Sequence, residues 1–523
     1  MPPDKPVALI SLTDKAGLKE LAHALDDAGY RVIASSGTAR AVRELGISCA
    51  EVETLTDYPA LLGGRVKTLH PKIFGGILAR VENADDAQDL KRYDVPRITV
   101  VAVNLYQFAQ ATADRAVGDA QAVEQIDIGG VALLRAAAKN FESVTVLAEP
   151  ELYPAFIATL SRGGSTRDER RTWAARAFAV VAHYDAAIAS FFVRERHDAG
   201  LPDVLSLNLP LQSPLRYGEN PWSQAAFYHG DSNGLPEQRG GKTLSYNNLL
   251  DVDSCLRLIA PIEEPVGFLK DAQPVSPVSA AIVKHTVPCG LAAARNAAEA
   301  LGAALGADPI SAFGGIVAVN ARIDRASAQI LKPRFLEVVA APAFDDDALA
   351  LLASKKNLRL LVFNRELPAR LRAGMTLRSA LGGILAEQPD PDAPRDEWKV
   401  MTERQPDAGM WRDMLFAFGA VRQVKSNAAV VARNQVTLGI CGGQTNRVAA
   451  VELACRRAGD AVRGAVLATD GFFPFADGIE AAAAAGIGAV VAPSGSIRDA
   501  EVVEAARRAN IVLAFASRRY FLH

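Results

Sequence analysis

The sequence predicts an α/β protein that opens with a parallel sheet flanked by helices and continues into at least one further domain. Two observations carry this. Short apolar runs alternate with amphipathic stretches in the order strand, helix, strand, helix, strand, and that order demands parallel strands with helices on the sheet faces. The chain is also long: at roughly 100–200 residues per domain, its 523 residues make about two to four domains.

Taken in order, VALISL (7–12) reads as a short buried strand and Thr13 as an N-cap. Leu18, Leu21, Ala22 and Leu25 then share one helix face, which Gly29 closes. RVIAS (31–35) is the next strand and Thr38 to Leu45 the next helix. ITVVAVNLY (98–106) and SVTVLAEP (143–150) are further strands. In such sheets ligands bind beyond the carboxyl ends of the strands, so the loops there are the ones to inspect. A helix is expected from about Arg167 to Arg196. The segment DAGLPDVLSLNLPLQSP (198–214) has three Pro and no period, which places a boundary there and gives domains 1–199 and 200–523. The second domain is again α/β, with Ala-rich helices, and its polar, Pro-rich residues 386–409 are expected to form a surface excursion. It also suggests a duplication. AAIVKHTVPCGLAAARNA and TLGICGGQTNRVAAVELA each read as strand, turn, Ala-rich helix, with Asp308 and Asp470 at similar distances beyond Lys284 and Gln444.

Composition narrows the function. Half of the residues are apolar and 22% charged, which excludes a disordered chain. Lys plus Arg number 57 and Asp plus Glu 59, a net charge of −2 that gives no reason to expect nucleic acid or an anionic membrane as partner. The five Cys (49, 255, 289, 441, 455) are scattered with no C-x-x-C pair. That argues against a disulfide framework or a zinc site and for a reducing cytoplasm. No run approaches ~18 uncharged apolar residues, so neither a signal peptide nor a membrane span is expected.

Several loops carry chemistry-bearing groups. Ser35-Ser36-Gly37-Thr38 could cradle a phosphate with its N–H groups, though an ordinary βα turn capped by Thr38 explains it as well. Ser11 to Lys15 ends the first strand in the same way and adds a cation. Gly63-Gly64-Arg65-Val66-Lys67-Thr68-Leu69-His70 puts Arg, Lys, Thr and His behind a double Gly, as a phosphate or carboxamide cradle would; plain solvation of Arg65 and Lys67 is the other reading. Asp127-Ile128-Gly129-Gly130 opens a helix that ends near Lys139, a residue that answers the helix dipole or serves as acid or base. Lys284-His285 ends a strand; a cation beside a His suits a base near neutral pH, and a structural His is the other reading. Cys289 is read as small and buried. Lys425-Ser426-Asn427, the 442–447 turn and Phe472 to Asp477 are dense in amide, cationic and aromatic groups, which suit a flat heterocycle with an anionic tail.

The combined pattern resembles one family. SLTDKAGL, ASSGTAR, GGRVKTLHPKIFGGILAR, VAVNLYQF, IDIGGVALLRAAAKN, LRYGENP, LSYNNLLDVDS, IVKH, DPISAFGGIVAVN, VKSNAAVV, DGFFPFADGIEAAAAAGI and SGSIRDAEV occur in the order of the bifunctional purine biosynthesis family. Its members are both phosphoribosylaminoimidazolecarboxamide (AICAR) formyltransferase and inosine monophosphate (IMP) cyclohydrolase. The resemblance implies a methylglyoxal-synthase-like first domain that closes the purine ring. There Ser11, Thr13, Asp14, Lys15, Ser35, Ser36, Gly37, Thr38, Arg65, Val66, Lys67, Thr68, Val103, Asn104, Asp127 and Ile128 would hold the nucleotide. Lys139 would handle the proton, with Lys67, Tyr106 and Asp127 around it.

It further implies a tandem cytidine-deaminase-like second domain that formylates AICAR from 10-formyltetrahydrofolate. His285 would be the base, Lys284 the transition-state cation and Asn427 a positioning group. Arg216, Tyr217, Gly314, Glu337, Arg447, Phe472 and Arg519 would hold the nucleotide; Val448, Asp477, Ser496 and Ile497 would line the folate pocket. A homodimer with transferase sites at its interface follows from the resemblance. No metal is expected, since the H-x-E and P-C-x-x-C strings of zinc deaminases are missing. Three positions depart from the family: Trp222 stands where His is usual, Val287 where bacterial members have Asn, and the chain ends RRYFLH against a usual R-H-F-x-H. All three touch the transferase half, so a cyclohydrolase with a weakened or altered-donor transferase is the runner-up. A nucleotide-sensing module is the third reading, against which Lys139 and the long second domain argue.

Overall fold

The computed structural model describes residues 5–114, 116–194, 200–230, 234–260, 278–391 and 397–523. It divides into two compact units, Met1–Leu209 and Pro210–His523.

The first unit is built on five parallel strands, β1 (Val7–Ser11), β2 (Arg31–Ala34), β3 (Cys49–Glu51), β4 (Ile98–Val103) and β5 (Thr145–Leu147), in the order β3-β2-β1-β4-β5. Helices pack on both faces because β1 and β4 are apolar nearly throughout and have no side to offer water. Thr13 is not an N-cap. The helix Leu18–Asp27 begins after Gly17, which is left-handed at φ 69° and whose absent Cβ leaves room for the Tyr153 ring. The next helix starts at Ser36 rather than Thr38, so Thr38 lies buried in its first turn. The predicted strand 98–106 ends at Val103, leaving 104–106 as a loop at the site described below, and 143–150 keeps only its central Thr145–Leu147.

The Arg167–Arg194 helix bears on the expectation that no segment spans a membrane. It contains a stretch long and apolar enough to cross a membrane by length and composition alone. Trp173, Ala174, Ala177 and Val181 join the core of this unit, and Phe191 meets the Phe108 ring edge-on. The expected residues 195–196 of that helix lie outside the described residues.

In the second unit, β6 (Leu211–Leu215) and β7 (Ala225–Tyr228) form a small antiparallel sheet. There follow β8 (Glu237–Gly240), β9 (Val278–Lys284), β10 (Val287–Ala294), β11 (Ile316–Val319), β12 (Val338–Ala341) and β13 (Arg359–Val362). A hairpin of β14 (Thr376–Ala380) and β15 (Gly383–Glu387) stands apart. Then come β16 (Lys399–Val400), β17 (Ala429–Arg433), β18 (Val436–Cys441), β19 (Val466–Thr469), β20 (Ala489–Pro493) and β21 (Val512–Ala516). Twelve strands make one sheet, β16-β21-β20-β19-β17-β18-β10-β9-β11-β12-β13-β8.

From either edge inward the pairings repeat: antiparallel, parallel, parallel, antiparallel, antiparallel, meeting at β10–β18. The duplication is therefore present, in a different register from the predicted one. The turn His285-Thr286 between β9 and β10 matches Asn434-Gln435 between β17 and β18, all four residues at positive φ. Asp470 matches Asn320, not Asp308: Asn320 Oδ1 accepts the Ser279 N–H and Asp470 Oδ1 the Ala428 N–H, each where β9 or β17 begins. The 386–409 excursion also re-enters the fold, because Trp398 is buried edge-on against Phe418 and β16 pairs with β21. Residues 392–396 lie outside the described ones.

Two candidate active sites

In the first unit, the carboxyl ends of β1, β2 and β4 converge. Ser11 Oγ donates to Ser35 Oγ at 3.1 Å, and Thr38 Oγ1 accepts the Leu12 N–H at 3.0 Å and donates to the Leu12 carbonyl at 3.1 Å. Thr38 thus acts as a buried pin. Lys15 Nζ donates to Thr38 Oγ1 at 3.2 Å and to the Leu12 carbonyl, and burial lowers its pKa while Asp14 partly restores it. Asn104, just past β4, accepts the Thr13 and Asp14 N–H groups and donates to the Asp14 carbonyl at 2.7 Å. Val103 is buried at the strand end, Ser36 Oγ reaches Glu53 at 3.3 Å, and Gly37 lies open.

The double-Gly loop joins the same end. Arg65 pairs with Glu124, and Val66 bridges Leu61. Lys67 folds back over Gly64, where a Cβ would lie 2.5 Å from its Cε. A Cβ on Gly129 would lie 2.7 Å from Thr68 Oγ1, so the loop and the start of the Gly129–Lys139 helix meet closely enough to require glycine. Asp127 Oδ1 accepts the Gly130 N–H at 2.7 Å. Burial pushes its carboxyl up, while the Gly130 and Tyr106 N–H groups pull it partly back. Burial, then Asp127, raises the Tyr106 phenol. Ile128 is exposed beside them. Sequence reasoning missed Tyr184, whose hydroxyl accepts the Asp127 N–H at 2.7 Å and donates to the Gln125 carbonyl at 2.9 Å. It comes from 57 residues away and leaves no local trace.

Lys139 is not brought to this group within one chain. It ends the helix that Gly129 begins, about 15 Å further along at 1.5 Å per residue. Its neighbour Asn140 donates to the Ile77 and Ala79 carbonyls, at the far end of the Pro71–Leu78 helix.

In the second unit, the strand registers place one set of segment ends together. The end of β9 and the starts of β10 and β11 lie at the same edge as the start of β17 and the ends of β18, β19, β20 and β21. This gathers Lys284, His285, Gly314, Glu337, Asn427, Phe472 and Ser496. Lys284 Nζ donates to the Phe313 carbonyl at 2.9 Å. Glu337 pairs with Arg359 at 2.7 Å. Asn427 Nδ2 donates to the Gln444 carbonyl at 2.9 Å. Ser496 and the exposed Ile497 form a loop held by Asp499, and Asp477 and Val448 lie in the first turns of neighbouring helices. Arg216 and Tyr217 stack at 4.5 Å, and their loop is tied by Asn247 to the start of the Tyr246–Leu258 helix.

Two clefts flank the His285-Thr286 turn. One of about 510 Å³ is lined by Lys284, His285, Cys289, Asp308, Ser311 and Arg457. The other, about 710 Å³, is lined by Thr286, Arg378, Lys425, Arg519 and His523 among others. Burial pushes the Cys289 thiol up to about 11, which keeps it neutral. Among the described residues no group of three or more His, Cys, Asp or Glu could hold a metal.

Arg447, which the resemblance places against the nucleotide, is turned inward within this chain. It is buried, its Nη1 paired with Asp470 and donating to the Ala428 carbonyl at 3.1 Å. Asp470 also accepts from Ser426 Oγ, so the pair braces the Ser426-Asn427 segment. The divergent tail serves the same segment: the Ser426 N–H donates to the Leu522 carbonyl at 2.9 Å, and Tyr520 is buried. Val287 fits its place as the first residue of β10, paired with Lys284.

Comparison with known proteins decides the family. A family model described as the AICARFT/IMPCHase bienzyme matches residues 137–457, more than half of the chain. The chain belongs to the AICARFT/IMPCHase bienzyme family. An MGS-like domain matches residues 17–132. Relatives named bifunctional purine biosynthesis protein PurH include that of Rippkaea orientalis, 41% identical, and that of Thermosynechococcus vestitus, 45% identical. Each match covers 99% of this chain and 99% of the relative. A Synechococcus elongatus relative is 43% identical over the same shares. The chain is accordingly a bifunctional enzyme of purine biosynthesis, both formyltransferase and cyclohydrolase. Matches over both halves do not favour a cyclohydrolase with an impaired transferase.

Trp222, which stands where His is usual, is 84% exposed within this chain, in a turn closed by the Gly218 N–H to the Ser223 carbonyl. Trp222→His is therefore expected to change stability by less than about 0.5 kcal/mol and formyl transfer by less than about tenfold. Thermal unfolding and steady-state transfer check this; a gain of about a hundredfold would mark the Trp as an impairment.

Proposed function

We propose that the first unit cyclises 5-formyl-AICAR (FAICAR) to IMP and the second formylates AICAR, with 10-formyltetrahydrofolate as donor, in a cytoplasmic homodimer. The observation that carries the reading is the gathering of Lys284, His285 and Asn427, from the two halves of a duplicated fold, at one end of one sheet. In the transfer step the 5-amino nitrogen attacks the formyl carbon, the bond from that carbon to folate N10 breaks, and FAICAR and tetrahydrofolate leave. His285 takes the amine proton, Lys284 faces the oxyanion and Asn427 orients the reacting groups. Arg216, Tyr217, Gly314, Glu337, Phe472 and Arg519 hold the nucleotide, with Arg447 acting through the segment it braces. Val448, Asp477, Ser496 and Ile497 receive the folate.

In the cyclisation the carboxamide nitrogen adds to the formyl carbon, the ring closes and water leaves. Lys67 polarises the formyl oxygen while Tyr106 and Asp127 move protons. The Ser11–Lys15, Ser35–Thr38 and Arg65–Thr68 loops hold the phosphate and ribose, their N–H groups and cations matching an anionic tail. Lys139 serves the site of the second copy, since its own lies at the other end of its helix.

The dimer is supported by apolar groups that one chain leaves uncovered. The β14–β15 hairpin exposes Leu377, Leu381, Ile384 and Leu385, and a lone hairpin is marginal in water. A chain of residues 1–209 is expected to cyclise FAICAR without folate, followed by ultraviolet absorbance, while the full chain needs the formyl donor to start from AICAR. A fragment that folds, dimerises and binds IMP yet turns nothing over would overturn the assignment.

A further inference from the structure

Resting on the reading of His285 as the base, we propose that Asp251 is the positioning residue that sets it. His285 and Thr286 form a two-residue turn with both φ values positive, 58° and 59°. Such turns favour Asn and Gly, and a β-branched Thr enters the left-handed region only at a cost in strain. Something must hold them there. Asp251, on the Tyr246–Leu258 helix, accepts the Thr286 N–H at 2.5 Å on Oδ1 and the His285 N–H at 3.3 Å on Oδ2. Ser254, one turn further along that helix, donates to the Thr286 carbonyl at 3.2 Å. Among the described residues no hydrogen bond holds the imidazole itself, so its place over the cleft follows from the backbone this grip fixes.

The duplicated half supplies the comparison. Asp413, on the Ala408–Val421 helix, accepts the Asn434 N–H at 2.9 Å and the Gln435 N–H at 2.7 Å, and those residues have φ 52° and 56°. The backbone device is therefore the same at both turns. Only the cargo differs, because the second turn carries Asn434 and lies at the opposite end of the sheet from the gathered groups. A purely structural role predicts equal consequences for the two carboxylates; a positioning role predicts that only Asp251 matters to transfer.

The test compares Asp251→Asn with Asp413→Asn in the full-length enzyme. An amide offers one acceptor oxygen, so each variant deprives one turn N–H of its partner. Asp251→Asn is expected to lower kcat for formyl transfer about tenfold or more, with KM for AICAR within about twofold and FAICAR cyclisation unchanged. Asp413→Asn is expected to lose comparable thermal stability and keep transfer within about twofold of wild type. Equal losses of transfer in the two variants, or a wild-type kcat in Asp251→Asn, overturn the proposal. Should Asp251→Asn not fold, Ser254→Ala carries the test: about a threefold fall in kcat at unchanged KM supports it, and a wild-type kcat overturns it. His285→Ala separates the two readings. If that variant keeps more than about a tenth of transfer, the assignment of the base fails; if it collapses while Asp251→Asn does not, only the positioning role fails.

Discussion

His285→Ala is expected to lower formyl transfer about 10²–10⁴-fold while leaving cyclisation of FAICAR at the wild-type rate. That range is the usual contribution of a positioned acid or base, about 2.7–5.5 kcal/mol at the transition state. The loss should be large because no neighbour can substitute. Lys284 Nζ is engaged with the Phe313 carbonyl, and an ammonium is no base while protonated. The Cys289 thiol is held neutral by burial. His523 lines the other cleft and sits against the Phe521 ring. Cyclisation should be untouched because its groups belong to a separately folded unit. Steady-state rates for both reactions on one preparation check this. A loss of less than about tenfold removes the base role; parallel losses in both reactions mean that the chain has misfolded.

What the sequence made legible follows physical range. Short continuous apolar runs and an apolar face of period 3.6 are local; they located β1, β2, β4 and the helix of Leu18, Leu21, Ala22 and Leu25, while a double Gly marked the start of the helix at Gly129. Helix starts were less legible, because Ser, Thr and Gly all permit one. Gly17, not Thr13, precedes the helix in a left-handed conformation, and its contact with Tyr153 lies more than a hundred residues away in the chain. The duplication was sensed but shifted, since two Ala-rich helices align at any offset. The true correspondence runs through turns with no residue in common, His285-Thr286 and Asn434-Gln435, and through the carboxylates that grip them. Loop residues at strand ends were singled out because a βα order dictates where ligands bind. Buried braces such as Tyr184 and Asp470, and the inward turn of Arg447, are tertiary facts without a local pattern.

Lys139 gives the sharpest test of the cyclisation site. Lys139→Ala and Asp127→Asn are each expected to reduce cyclisation about 10²–10⁴-fold, with formyl transfer retained. Neither loss should come from unfolding. Lys139 is an exposed helix-end residue whose removal costs at most about 0.3–1 kcal/mol of dipole interaction. Burial raises the Asp127 carboxyl, so its ionised form subtracts stability as pH rises through the raised pKa; the uncharged amide removes that penalty at neutral pH and offsets the one N–H, of Gly130 or Tyr106, that it leaves without an acceptor. The two inactive variants should then rescue one another. In a two-fold dimer where each site takes Asp127 from one chain and Lys139 from its partner, a hybrid has one site with both lesions and one with neither. Unfolded together in equal amounts and refolded, the variants should form hybrids as about half of all dimers, restoring about a quarter of wild-type cyclisation. No recovery, with hybrids confirmed by differential tagging, would mean that each site takes both residues from one chain and would remove the shared-site reading. Wild-type cyclisation by Lys139→Ala alone would leave that residue as a cation at a helix end and the chemistry to Lys67, Tyr106 and Asp127.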